Sequence, residues 1–252
     1  MIAGVFARQG VLEIQERPEP TITNPDEVLL EVEATGVCGT DLHILNDQPG
    51  HPATVGAILG HEIVARIAEV GKNVTQYHVG QRVTVDANLK CGLCRPCKRG
   101  KWNHCENWTT IGIFQNGGFA RYVVVPQRAL HPISDSVPLK DAVWTELLSC
   151  IIGSTDRIAI QPGKTAVVIG AGPAGLLHAL MLQASGANVF ISDVAPYRLE
   201  LAKQGGVEAV NVKEANLKDA VMNATDNWGA DVVVDAVGTQ LQTCLEVVAT
   251  GG

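Results

Sequence analysis

The stretch that leaves this chain least freedom runs from residue 164 to residue 182. Lys164-Thr165-Ala166-Val167-Val168-Ile169 reads as a compact apolar strand, and Gly170-Ala171-Gly172-Pro173-Ala174-Gly175 follows at once. Leu176-Leu177-His178-Ala179-Leu180-Met181-Leu182 then reads as a helix. A G-x-G-x-x-G run alone is a weak signal, but between a strand and a helix it has the setting a dinucleotide-binding turn requires. Gly170 permits the tight turn, Gly172 lets backbone approach a pyrophosphate, and Gly175 lets the helix sit close on the strand, with Pro173 and Ala174 between them. The helix N-terminus offers amides and a favourable dipole end to phosphate.

A second strand, Asn188-Val189-Phe190-Ile191-Ser192, ends in Asp193, about 20 residues beyond the glycines. A carboxylate there accepts hydrogen bonds from ribose hydroxyls and repels a 2'-phosphate, so NAD is expected in preference to NADP. Arg198 is close enough in sequence to soften that preference. Residues 206–212 suggest a third strand and residues 230–238 a fourth, nearly continuous in β-branched residues as buried parallel strands are. Helical stretches lie between and after them, the pattern of a doubly wound sheet. A full dinucleotide fold has six strands in the order 3-2-1-4-5-6; four are readable before Gly252, and the fourth is expected to leave a long apolar edge, an association hazard.

Cysteine spacing constrains the first half. Cys91, Cys94, Cys97 and Cys105 form C-x2-C-x2-C-x7-C on one Gly/Pro-containing lobe, four soft ligands of the kind a closed tetrahedral zinc site takes. With four protein ligands such an ion has no open position, so its role is structural. Upstream, Gly36-Val37-Cys38-Gly39-Thr40-Asp41-Leu42-His43 precedes a loop through Pro49, Gly50 and Pro52, and Gly60-His61-Glu62 follows. A thiolate, an imidazole and carboxylates near two glycine turns are zinc ligands by type. Residues 28–34 and 63–70 read as strands, which puts Cys38 just past the end of one and His61 at the start of the other, so that both can meet at one rim of a small β domain.

At 252 residues about two domains are expected. A net charge of −7 argues against a nucleic-acid or anionic-membrane partner. The N-terminus lacks a basic segment followed by a long apolar one, and no apolar run approaches the roughly 20 residues that span a bilayer, so a cytoplasmic location is expected. Seven cysteines are an odd count, several closely spaced, which suits metal thiolates in a reducing compartment better than a disulfide framework.

The texture up to about Val125 is short alternating strands broken by Gly, Pro and Asn, continued by residues 80–86 and 117–125, as in an antiparallel β domain. Cys-Gly-Thr-Asp-Leu-His followed by Gly-His-Glu, the four-cysteine lobe and the strand–glycine turn–helix together resemble the zinc-dependent medium-chain alcohol and polyol dehydrogenases. The resemblance covers essentially the whole chain. It implies a GroES-like antiparallel β catalytic domain over residues 1–155, with a structural zinc lobe at about 91–105, followed by a partial Rossmann NAD-binding domain over 156–252. It also implies that the family's last two strands and the segment returning to the catalytic domain lie outside this chain. A homo-oligomer is possible, although the usual interface region is absent.

By the same resemblance Cys38 and His61 hold a catalytic zinc, and Glu146, in a helical stretch from 141 to 150, matches the third position near that metal. Family members of the polyol type have Pro-Leu after the acidic residue where this chain has Leu147-Leu148, and Cys150 is a competing thiolate one turn on. Glu146 is therefore a ligand, a residue behind one, or a solvated carboxylate. Glu62 is likewise a ligand, a residue behind one, or unpaired. Thr40 is expected to receive the substrate proton and His43 to carry it toward solvent, with Asp41 accepting a hydrogen bond from His61. As alternatives, Thr40 caps a helix starting near Asp41 and His43 is a surface residue. The expected activity is oxidation of a secondary alcohol or polyol with zinc and NAD. The rivals are a non-catalytic zinc- and nucleotide-binding chain and an NADPH-dependent medium-chain reductase.

Overall fold

Two N-terminal strands, β1 (Ile2–Arg8) and β2 (Val11–Glu16), form an antiparallel hairpin that turns at Gly10, whose φ of +75° suits glycine. The computed structural model that shows this describes residues 1–46, 50–158 and 160–252; Pro49, in the expected loop, lies outside the described residues. The chain divides into two compact units, Met1–Glu146 and Leu147–Gly252.

In the first unit the strands read at 28–34 and 63–70 become β3 (Glu27–Gly36) and, after helix α1 (Gly39–Leu45), β4 (Glu62–Val70). Then come β5 (Arg82–Val85), β6 (Asn88–Leu89), the short helix α2 (Arg95–Lys98), β7 (Thr109–Thr110), β8 (Tyr122–Pro126), β9 (Leu130–Pro132) and helix α3 (Leu139–Ala142). Five strands form an antiparallel sheet in the order β8-β3-β4-β5-β9, and β6 and β7 pair separately. Residues at alternating positions, among them Val28, Leu30, Ile63, Ile67, Val83 and Val123, point to one core and are almost fully buried. Each contributes roughly 1.5–3 kcal/mol of apolar transfer, and truncating Ile67 to Ala would cost about 2–5 kcal/mol.

The helix expected over 141–150 is broken. It consists of α3 and α4 (Thr145–Thr155), interrupted at Val143 and Trp144. Thr145 Oγ1 donates to the Ala142 carbonyl at 2.6 Å, satisfying the acceptor that a continuous helix would offer to the amide four residues on.

The second unit alternates strand and helix in chain order as β10 (Thr165–Ile169), α5 (Pro173–Ala184), β11 (Asn188–Asp193), α6 (Pro196–Gln204), β12 (Glu208–Asn211), α7 (Leu217–Ala224), β13 (Val232–Asp235) and α8 (Leu241–Val247). The strands are parallel in the order β12-β11-β10-β13, the 3-2-1-4 portion of a doubly wound sheet. Period-two alternation splits β10 between two cores. Ala166 and Val168 pack with Ala179, Leu182 and Leu199 on one face, while Val167 and Ile169 pack with Leu217, Val221 and Val247 on the other. Pro173 and Pro196 occupy first-turn positions of α5 and α6, where a missing amide costs nothing, and Asn216 caps α7 through its side chain.

The fourth strand stands at the sheet edge with Val232, Val233 and Val234 on it, as expected, but that edge is short. β13 has four residues, because the Asp235 carboxylate takes the amides of Val237, Gly238 and Gln240 at 2.7–2.9 Å and turns the chain.

Candidate metal and cofactor sites

Gly36 and Glu62 stand directly opposite each other at the rim where β3 ends and β4 begins. Cys38 lies two residues past Gly36 and His61 one before Glu62, so the antiparallel pairing brings the two ends together. The donor atoms of Cys38, His61 and Glu62 all lie within 4.8 Å of one another. A Cβ on Gly36 would overlap the Glu62 carboxylate, so glycine leaves the room in which that carboxylate sits.

Cys38 precedes α1, and its amide donates to Asp41 Oδ2 at 2.9 Å, which fixes the turn. This overturns Thr40 as the helix cap. The helix starts at Gly39, and Thr40 lies half-buried in its first turn. The expected hydrogen bond between Asp41 and His61 is not made either. His61 Nδ1 and Asp41 Oδ1 are 3.7 Å apart, both buried and both without a hydrogen-bond partner, because the capping role sets where the Asp41 carboxylate can point. Burial pushes Asp41 above the ordinary carboxylate range, against the Cys38 amide and the His61 charge. Burial would also depress His61, but the Cys38 sulfur and the Asp41 carboxylate outweigh it and, with a smaller contribution from Glu146, raise the ring to about 9. Glu62 is raised by its burial, opposed by His61 and Cys38.

His43 is half-buried on α1, and its ring lies 4.7 Å, centroid to centroid, from that of His51, tilted by 45°. His51 escaped the sequence reading, since nothing in its spacing marks it, and its Nδ1 is buried without a partner.

The four cysteines of the lobe come together as their spacing requires, with Sγ atoms within 4.8 Å of one another and Cys97 and Cys105 buried. The Cys94 and Cys105 sulfurs are 3.9 Å apart, near the roughly 3.8 Å edge of a tetrahedron with zinc–sulfur bonds of about 2.3 Å. The amides of Leu93 and Cys94 lower Cys91 to about 6, while burial and the neighbouring Cys94 and Cys105 sulfurs raise Cys97 to about 12. Four crowded sulfurs cannot all ionise unaided, and a divalent cation is the partner that lets them. Both donor sets fit zinc.

In the second unit Gly170 takes φ +97°, and a Cβ on Gly175 would overlap the Gly170 carbonyl, so both glycines are needed for the turn to close under α5. Gly172, at the N-cap of α5, faces open space, the room a phosphate needs to meet backbone amides. Asp193 is buried and accepts the amides of Ala171 and Ala195 at 2.8 Å each, one on each oxygen, which leaves each oxygen further lone pairs for ribose hydroxyls. Burial pushes its carboxyl up, but these amides and Arg198, 3.5 Å away, bring it below the usual range. A cavity of about 330 Å³ opens beside it, lined by Gly170, Asp193, Arg198, Val237, Gln240 and Thr243 among others. Val237 and Gln240, whose amides Asp235 holds, carry no role in the sequence reading of this site. The signal was an Asp three before Gly238 at a strand end, an Asx turn. NAD fits the turn, the helix end and the carboxylate.

Residues 24–135 match the alcohol dehydrogenase GroES-like domain and residues 173–252 the zinc-binding dehydrogenase domain. The chain is 37% identical over 234 residues to a sorbitol dehydrogenase of Halalkalibacterium halodurans, covering 91% of this chain and 67% of that protein. It is 38% identical over 232 residues to an L-threonine 3-dehydrogenase of Xanthomonas campestris pv. campestris, covering 89% of this chain and 66% of that one. A zinc-binding dehydrogenase of Sinorhizobium meliloti, solved bound to NADP, superposes with a TM-score of 0.93 at 30% identity, over 100% of this chain and 74% of that one. The chain thus spans about two thirds of the length of the curated relatives it matches. It belongs to the zinc-dependent medium-chain alcohol/polyol dehydrogenase family, oxidoreductases that use zinc and NAD(P). Among the described residues no helix is long and apolar enough to cross a membrane.

Proposed function

We propose that this chain carries the zinc and dinucleotide sites of an enzyme that oxidises a secondary alcohol or polyol with NAD, over a catalytic domain of residues 1–155 and a nucleotide-binding domain of residues 156–252. The observation that carries this reading is the convergence of Cys38, His61 and Glu62 on one point at the β3–β4 rim. Three protein donors leave a fourth position free, the hallmark of a catalytic rather than a structural zinc site. When bound there, zinc supplies a Lewis acid that brings the pKa of an alcohol hydroxyl from about 16 to around 7.

The chain's own residues do the rest. Cys38 and His61 hold the ion, Glu62 presents its carboxylate from across Gly36, and Glu146 adds negative charge near His61. Asp41 holds the Cys38 amide and faces the second ring nitrogen of His61, where a small rotation would orient the ligand. Thr40 takes the substrate proton through its hydroxyl, and His43, three residues along α1, passes it toward solvent. Gly170, Gly172, Pro173, Ala174 and Gly175 form the cradle for the pyrophosphate. Asp193 receives the ribose hydroxyls and favours NAD over NADP, with Arg198 tempering that preference. Cys91, Cys94, Cys97 and Cys105 hold a structural zinc, and cysteines kept as thiolate ligands suit a cytoplasmic, reducing compartment.

The sorbitol dehydrogenase relative favours a polyol, and the threonine dehydrogenase relative an amino alcohol. The test is NADH formation by the zinc-loaded chain against a panel of both, with Cys38→Ser as control. Turnover that is lost in the control supports the reading. Zinc and NAD binding without turnover on any alcohol would contradict it and favour a binding role.

A further inference from the structure

The pairing of strands explains how Cys38 and His61 come to the same rim, but not what holds the short stretch 58–60 that delivers His61. That stretch lies outside the strands of the sheet, yet four of its backbone groups are taken by one segment. The Ile58 amide donates to Asn116 Oδ1 at 3.1 Å. The Ile58, Leu59 and Gly60 carbonyls accept the amides of Gly117, Phe119 and Gly118 at 2.8, 2.9 and 2.8 Å. The segment is itself anchored at both ends. It leaves the β6–β7 ladder at the root of the four-cysteine lobe, with the Ile111 amide on the Ala87 carbonyl at 3.0 Å, and it ends where the Phe119 carbonyl accepts the Gly4 amide at 2.7 Å.

The contact is backbone on backbone. A Cβ on Gly112 or on Gly117 would overlap the Gly60 carbonyl oxygen, and a Cβ on Gly112 would also come within 2.9 Å of the His61 amide nitrogen. Gly60 in turn has φ +91° and lies under the Phe119 ring, 2.5 Å from where its own Cβ would be. A side chain at 112 or 117 could be admitted only by moving the Gly60–His61 peptide.

We propose that residues 111–119 act as a strap that sets the position of His61 in the donor set, with Gly112 and Gly117 as its positioning residues. The inference rests on the reading of Cys38 and His61 as metal ligands and goes beyond it, because glycine has no side chain that could bind the ion and both act on the Gly60–His61 backbone. Groups behind metal ligands that fix their orientation typically change metal affinity about 10- to 100-fold when altered.

Gly117→Ala is the cleaner variant, since residue 117 is not in the left-handed region and the change adds crowding alone. Gly112→Ala adds crowding and strain, its φ being +76°, and Gly80→Ala, with φ +86° and open space around it, adds strain alone. The 252-residue chain is stripped and titrated with Co(II) against a chelator, and the thiolate–cobalt absorption bands are assigned to the two sites with Cys38→Ser. The expected result is a loss of about 10- to 100-fold in cobalt affinity at the Cys38–His61 site and a shifted band there in Gly117→Ala and Gly112→Ala. The four-cysteine band should stay intact, and Gly80→Ala should leave both sites unchanged. Unaltered affinity and band at the Cys38–His61 site in Gly117→Ala would overturn the proposal. So would loss of both sites together in both variants, which would make the strap a requirement of the whole unit rather than of His61. If Cys38→Ser removes no band from the parent chain, the metal reading itself fails and the inference falls with it.

Discussion

The two sulfur-containing donor sets of the first unit use the same ligand chemistry and differ in how the chain builds them. Cys91, Cys94, Cys97 and Cys105 lie within 15 residues, on a lobe whose only regular structure is a one-turn helix, a turn of 3-10 helix and a two-residue ladder at its root. Cys38, His61 and Glu62 come from either end of a loop and are brought together by the register of two ten- and nine-residue strands, with a strap behind them. The first set supplies four donors on a lobe with little sheet or helix of its own, so an ion bound there would be expected to order it. The second supplies three donors on a rim that the sheet core already holds. A closed site stabilises the fold and an open one is held by it, so loss of metal should have opposite consequences at the two places.

The largest effect should fall on chemistry. Cys38→Ser is expected to lower turnover by several orders of magnitude, since without the ion the hydroxyl pKa returns from around 7 toward about 16, while the thermal unfolding midpoint moves little. Steady-state NADH formation and a calorimetric scan on the same preparation check both halves. Cys97→Ser should do the reverse in kind. Apparent zinc-binding free energies of about 10–16 kcal/mol are available to small structural sites, so loss of the ion should lower the melting temperature markedly and open residues 91–105 to limited proteolysis. Equal proteolytic resistance with and without zinc would erase the contrast between the two sites.

The pH dependence of the metal-free chain sharpens the comparison. His61 is raised from its ordinary 6.5 to about 9. A raised histidine gives stability that is fully present below about pH 6.5 and is lost as pH climbs through about 9, here about 3 kcal/mol at most. Urea denaturation of the stripped protein should therefore show a falling midpoint across that window, and His61→Asn should flatten it. Zinc uptake at the same site should move in the opposite direction and strengthen with pH, because the ring must lose its proton to bind. A smaller effect belongs to the cofactor half. Asp193→Ala removes the acceptor of two amides, worth about 1–3 kcal/mol when a buried partner is left unmade, and should weaken NAD binding while narrowing the gap to NADP, as read by fluorescence titration with both. Smallest of all, Arg198→Ala should change NAD affinity by no more than about 1 kcal/mol, the range of half-exposed ion pairs.

Sequence legibility tracked locality. The four-cysteine lobe and the glycine turn were readable because everything that defines them lies within 15 and 6 residues, and the structure closes both as spaced. The antiparallel and parallel sheets followed from periodicity and from the alternation of strand and helix, while the 3-2-1-4 order came with the dinucleotide-binding fold that the glycine turn signals. What could not be read was geometry set at a distance. The Asp41 capping bond that keeps its carboxylate off His61 depends on where α1 starts, one residue before Thr40. The break between α3 and α4 turns on one hydroxyl, that of Thr145. The contact of His51 with His43 and the strap at 111–119 involve residues with no spacing signal at all, since Gly112 and Gly117 look like ordinary loop glycines until the Gly60 carbonyl is found against them.

The open-versus-closed contrast can be tested most directly by recording the electronic spectrum of the fully cobalt-substituted chain while a secondary alcohol is added in the presence of NADH. The account predicts that the band lost in Cys38→Ser shifts with alcohol, saturably, while the four-cysteine band does not move. A spectrum in which neither band responds, or in which the four-cysteine band responds, would contradict the assignment of Cys38 and His61 to an open catalytic site.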